Sequence, residues 1–127
     1  MNEFGERDLK IFMIEDDADL CDSWADLFAM LGHEFVCHQT GAGALKDLKS
    51  IQESDLVISD FYLPDVQGVE LILQIRNINP RIQAILLTGS RDSKVLSAAE
   101  KLPDCTILQK PIAIEELEAQ LERLNVA

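Results

Sequence analysis

At 127 residues the chain suits one compact domain with a core of its own, and its formal charge of −12 argues against direct nucleic-acid binding, which needs clustered Lys and Arg to neutralise phosphate. No apolar run approaches the ~20 residues needed to span a bilayer, and the charged start from Met1 to Asp8 carries no secretory pattern. The expectation is a single domain over residues 1–127 with its core at about 9–124, located in the cytoplasm and without membrane insertion.

Five short apolar runs read as strands, in chain order Leu9 to Ile14, Glu34 to His38, Leu56 to Asp60, Ile82 to Thr88 and Thr106 to Gln109. Those near the start and middle are almost continuously apolar, as expected of parallel strands covered on both faces. Helical patterns lie between and after them. Leu20, Trp24, Leu27, Phe28 and Leu31 recur at helical spacing, with Gly32 placed to stop the first helix. Gly43 to Ile51 predicts a shorter second helix with Leu45 and Leu48 as its apolar pair. Val69, Ile72 and Ile75 mark a third ending before Pro80, and Val95, Ala98, Ala99 and Leu102 a fourth ending before Pro103. Ile114, Leu117, Leu121 and Leu124 mark the fifth.

Five repeats of strand then helix, joined by right-handed crossovers, predict an α/β doubly wound (βα)5 sandwich of three layers. The flavodoxin-like strand order 2-1-3-4-5 would place strands one and three together at the switch point. Cys21, Cys37 and Cys105 are odd in number, widely spaced and set in apolar segments, so they are expected to be buried, reduced thiols.

Chemistry is expected where the apolar runs end. Asp60 closes the third strand just before the turn-rich block Phe61 to Gly68, and Glu15, Asp16 and Asp17 close the first. If those strands are neighbours, several carboxylates share one pocket, and the remedies for their repulsion are raised pKa values, a divalent cation or a lysine. Lys110 stands at the end of the fifth strand. Each feature alone has a plainer reading: an Asp at a strand end is commonly a turn or cap residue, and acidic residues before a helix favour its positive end. For Asp17 the cap is the expected role. Their joint occurrence at strand ends argues for one site.

The acidic pair in Ile14-Glu15-Asp16-Asp17, the block from Asp60 through Pro64 to Gly68, Leu87-Thr88-Gly89 and Gln109-Lys110-Pro111 together resemble the receiver domain of two-component response regulators, from about Leu9 to Leu124. The resemblance implies that Asp60 accepts a phosphoryl group from a phosphohistidine on a histidine kinase or histidine phosphotransfer protein. It implies Mg²⁺ held by Glu15, Asp16, Asp60 and the backbone carbonyl of Tyr62. It also implies that Thr88 and Lys110 serve the phosphoryl group, and that the surface of the fourth helix, fifth strand and fifth helix signals to a downstream output domain or protein. Such a chain catalyses its own aspartyl phosphorylation and dephosphorylation, yet is primarily a switch. It would be a stand-alone regulator or a piece of a larger hybrid.

Ile107 departs from the family pattern, in which an aromatic residue commonly stands three positions before the lysine. Gly89 leaves the phosphoryl entrance without a side chain, and Tyr62 is bulky enough to cover it. His33 and His38 have no partners in the site motifs and read as surface or strand residues, while Trp24 is expected to face the core. Three other readings fit these residues less well. A flavin carrier would need a hydroxyl- and glycine-rich phosphate loop where Glu15 to Asp17 stand. A phosphatase of the haloacid dehalogenase type would need an acid at Tyr62. A receiver-like interaction module that is never phosphorylated would not need the complete residue set.

Overall fold

The five apolar runs form strands β1 (Lys10–Ile14), β2 (Glu34–His38), β3 (Leu56–Asp60), β4 (Gln83–Thr88) and β5 (Cys105–Gln109) in a computed structural model that describes residues 8–89 and 93–125. They pair in parallel in the expected order β2-β1-β3-β4-β5. Among the described residues six helices connect or follow them: α1 (Ala18–Met30), α2 (Gly41–Lys46), α3 (Leu48–Glu53), α4 (Gly68–Ile78), α5 (Ser93–Glu100) and α6 (Ile114–Asn125). None is long and apolar enough to cross a membrane. The expected apolar position Val95 falls on α5, but its side chain lies outside the described residues, as does the segment Met1 to Arg7.

Successive strand residues point to opposite sides of a sheet, and both sides here are covered. Phe12, Ile14, Val57 and Leu86 face one cluster with Ala44, Ile51, Leu71, Ile72 and Ile75 from α2, α3 and α4. Ile11, Met13, Ile58, Ile85 and Leu87 face the other, with Phe28 from α1 and Leu117 and Leu121 from α6. This double coverage explains why β3 is buried at every position while the edge strand β2 is not buried at any.

The ends of α1 follow local rules. Asp17 caps its start, accepting from the backbone N–H groups of Asp19 and Leu20 at 2.9 and 3.3 Å. Gly32 adopts φ +85°, a left-handed conformation that glycine enters without a Cβ penalty. It lets the amides of Gly32 and His33 donate back to the carbonyls of Ala29 and Phe28, which closes the helix in a Schellman arrangement.

Two expectations are corrected. The single second helix is two, broken at Asp47, whose carboxylate accepts from Ser50 N at 3.3 Å and lies 2.9 Å from His38 Nε2. An Asp that competes for backbone donors starts a new helix more readily than it continues an old one. The break leaves Leu48 half exposed, and Ala44 and Ile51 supply the buried side chains.

The second correction concerns the thiols. Cys21 on α1 and Cys37 on β2 form a disulfide, with Cα atoms 6.0 Å apart and a sequence separation of 16, whereas Cys105 is free and half buried. Wide spacing in sequence concealed the pair, because the crossover of α1 returns the chain beside its own first strand.

Closing a loop of this size constrains the unfolded chain by about 3 kcal/mol. Reduction with a phosphine should therefore lower the unfolding free energy by roughly that amount, measured by urea denaturation, and the Cys105→Ser variant should show the same loss.

Candidate functional site

The site is built at the carboxyl ends of the four adjacent strands β1, β3, β4 and β5. The register sets Ile14 opposite Ser59, Asp60 opposite Leu87, and Thr88 opposite Gln109, so Glu15, Asp60, Thr88 and Lys110 emerge on one rim. The Lys110 amide extends the last pairing by donating to Thr88 O at 2.8 Å. Lys110 and Pro111 are joined by a cis peptide bond.

Asp60 is almost fully buried, as are Glu15 and Thr88, while Asp16 is exposed at the rim. Glu15, Asp16 and Asp60 each bring a carboxylate oxygen within 4.8 Å of the others. Lys110 Nζ reaches Asp60 Oδ1 at 2.7 Å and Glu15 Oε1 at 3.9 Å. The Lys110 ammonium and the buried Asp60 carboxylate form a close ion pair.

The electrostatics follow from this crowding. Burial, then the hydrogen bond and charge of Asp60, push the Glu15 carboxyl up to about 8. Burial alone would lower the Lys110 pKa, but the hydrogen bond and charge of Asp60, with Glu15 and Asp16 beyond, carry it above the ordinary lysine value. One ammonium thus leaves negative charge uncompensated.

The donor set suits a small divalent cation. The three carboxylate oxygens lie within 4.8 Å of one another, close enough to converge on one ion such as Mg²⁺, which takes oxygen ligands at about 2.1 Å. All three donors are hard oxygens, and the exposed Asp16 leaves a side open for waters that Mg²⁺ retains.

The loop after Asp60 is held from two sides. Gly68 opens α4 against the backbone of Asp60: a Cβ there would lie 2.2 Å from Asp60 O, so only glycine permits the approach. Its amide donates to Phe61 O, and Tyr62 and Gln67 bridge across the turn. Asp65, to which the sequence reading assigned no role, accepts from Gly41 N and Ala42 N at 2.9 Å each and pins the loop to the start of α2. Those two amides hold its carboxyl below the usual range. Its place after Pro64 in a turn-rich block was the available signal. The Tyr62 ring packs edge-on against Phe61 and is largely exposed.

Other expected residues divide. Asp17 is the cap, while Glu15 Oε2 accepts from its amide at 3.3 Å. Ile107 is half buried against the cluster containing Leu86, Ala99 and Leu102. Trp24 stacks with Phe28 at 6.0 Å yet is only partly buried, because it also lines an open recess of about 410 Å³. Leu20, Leu87, Pro111 and Ile112 complete the apolar wall of that recess, and Glu15 and Lys110 also line it.

A family model described as "Response regulator receiver domain" matches residues 11–122. The transcriptional regulatory protein CrdR of Helicobacter pylori is 32% identical over 115 residues, 90% of this chain and 54% of CrdR. The response regulator receiver protein CpdR of Brucella abortus is 23% identical over 118 residues, 93% of this chain and 98% of CpdR. Among solved structures, the signal receiver domain of an HD domain-containing protein from Pseudomonas fluorescens Pf-5 superposes with a TM-score of 0.83 at 28% identity, covering 93% of this chain and 94% of that one. The chain spans about half the length of several curated relatives it matches, CrdR included.

The raised Glu15 pKa has a defined effect on stability without metal. Folding holds a proton on Glu15 that the unfolded chain releases above its ordinary value of 4.5, so this contribution is complete below pH 4.5 and lost as pH rises to about 8. In chelator, Glu15→Gln should flatten that decline and exceed the parent at pH 8.5 by upwards of about 1 kcal/mol in urea unfolding.

Proposed function

Because this chain belongs to the response regulator receiver domain family, we propose that it is a phosphoacceptor switch of a two-component or phosphorelay system, working in the cytoplasm, with Asp60 as the acceptor. The convergence of Asp60, Glu15, Asp16 and Lys110 at one strand-end rim carries the reading. An Asp60 carboxylate oxygen forms a bond to phosphorus as the phosphorus–nitrogen bond of a partner's phosphohistidine breaks. The product is an aspartyl phosphate, and the imidazole leaves with the electron pair.

Glu15, Asp16, Asp60 and the Tyr62 carbonyl would hold Mg²⁺, which supplies positive charge to the phosphoryl oxygens. Phosphoryl transfer asks mainly for alignment and charge neutralisation, and the chain's own residues contribute both. Lys110, already 2.7 Å from Asp60, orients the carboxylate before transfer and pairs with the phosphoryl group afterwards. Thr88, nearly buried at the end of β4, offers a hydroxyl that can turn toward that group. Its backbone is bonded to Lys110 at the end of β5, so its movement is passed to α5, β5 and α6, the proposed output surface toward a downstream domain or protein. The apolar recess beside Glu15 and Lys110 fits the apolar face of a histidine-bearing helix on a histidine kinase or phosphotransfer protein.

Acetyl phosphate with Mg²⁺ should add one phosphoryl group by intact mass, and Asp60→Ala should add none. Equal labelling of both would overturn the assignment of Asp60. Leu20→Asp should retain labelling by acetyl phosphate while slowing transfer from a phosphorylated partner by about tenfold or more, since a charge at the rim of an apolar contact costs at least ~1.4 kcal/mol.

Ile107 has no ring or hydroxyl with which to report at the surface, and its β-branched side chain has few rotamers. Activation should therefore depend on Thr88. Chemical shifts in the free and beryllofluoride-bound forms should show most of the change in α5, β5 and α6 lost in Thr88→Ala and kept in Ile107→Val.

A further inference from the structure

The Cys21–Cys37 bond encloses the peptide that begins the acidic turn. Cys21 Sγ lies 3.4 Å from Glu15 O. On the other side the Glu15 amide donates to the carbonyl of His38, the residue after Cys37, at 2.9 Å. The two sulfurs therefore tie together the α1 and β2 segments that hold Glu15, and Asp16 follows directly. Gln39 Nε2 also donates to Cys21 Sγ at 3.3 Å.

We propose that Cys21 and Cys37 form a reversible redox element, exchanged by a low-molecular-weight thiol and disulfide couple, that sets the backbone of the Glu15 turn and thereby the affinity of the acidic site for its cation. The cation part rests on the proposed function; the redox control of the Glu15 backbone does not. The geometry gives the two oxidation states different contacts. As a disulfide, Cys21 has no proton to donate, and the covalent tether fixes α1 to β2. As a thiol it can donate to Glu15 O, while the tether is gone.

The exchange has a definite order. Cys21 is buried and Cys37 is half exposed, so an incoming glutathione thiolate attacks Cys37 Sγ. A sulfur–sulfur bond forms there as the protein disulfide breaks, and the electron pair goes to Cys21 sulfur, where the Gln39 amide stabilises the charge. A second glutathione thiolate attacks the glutathione sulfur of the mixed disulfide and releases the Cys37 thiolate with oxidised glutathione. The two protons given up by glutathione end on the two cysteines, and oxidation is the reverse.

The disulfide holds the Glu15 and Asp16 turn in place before the cation arrives. Its loss should weaken binding by about tenfold, the scale on which outer-shell supports act on a metal site. Protein equilibrated with oxidised or reduced glutathione would be acid-quenched, alkylated after unfolding and weighed. Cys21 and Cys37 should gain label together on reduction, and Cys105 should be labelled in both states. Glu15 amide exchange should speed severalfold on reduction, beyond any change at Met13 in the adjoining strand. Mg²⁺ titrated on Trp24 fluorescence should bind about tenfold more weakly to the reduced form. The double variant Cys21→Ser, Cys37→Ser should match the reduced protein in either buffer, while Cys105→Ser should follow the parent. Independent labelling of the two cysteines, or equal Glu15 exchange in both states, would overturn the redox element. Redox-linked exchange at Glu15 with no Mg²⁺ binding in either state would support the element and count instead against the phosphoacceptor reading.

Discussion

Like charge forced together is the constraint on which the rest of this molecule depends. Carboxylates with oxygens within 4.8 Å of one another repel by roughly 3 to 4 kcal/mol or more per charged pair at an effective dielectric constant of about 20. That exceeds the ~0.3–1 kcal/mol a helix N-terminus gives back to one exposed charge. The positive end of α1 therefore cannot compensate the cluster. A proton on Glu15, the ammonium of Lys110 and a divalent cation are the stronger remedies. The first two are visible in the electrostatics of the folded chain, and the donor set is suited to the third.

Such a site is poised because its compensation can be exchanged. Lys110 bonds through its own backbone to Thr88 and through its side chain to Asp60, so a change of charge at Asp60 acts on the ends of β4 and β5 together. The opposite wall is stiff. Gly68 sets α4 directly on the Asp60 backbone, and Asp65 fastens the intervening loop to α2. On the proposed reading, the fastened loop on one side and the ion pair on the other would direct a rearrangement toward β5 and α6.

The disulfide belongs to the same economy of support. It joins the helix leaving the acidic turn to the strand whose end holds the Glu15 amide. Two covalently linked sulfurs thus join the segments on either side of Glu15. The free thiol of Cys105, raised in pKa chiefly by burial, sits on β5 and has no part in that link.

Much of this could be read from residues in order. Parallel strands covered on both faces demand continuous apolar runs, and β1, β3 and β4 were legible for that reason. Strand order was expected by likeness to flavodoxin-like sheets and is the order observed, and Asp60, Glu15, Asp16 and Lys110 were legible because strand ends are where such a sheet gathers polar groups. Asp17 as a cap and Gly32 as a stop are local rules, satisfied within a few residues. What the sequence could not express were contacts whose partners are distant along the chain and specified by no local pattern. The break at Asp47 reflects a carboxylate shared between Ser50 and His38. Asp65 finds its donors 23 and 24 residues away. Cys21 meets Cys37 only because α1 returns the chain to the sheet. Local propensity and hydrophobic period act over one or two turns, so they determined the elements and the rim on which the acidic residues stand; the pairing of groups across that rim required the packed crossovers of the tertiary structure.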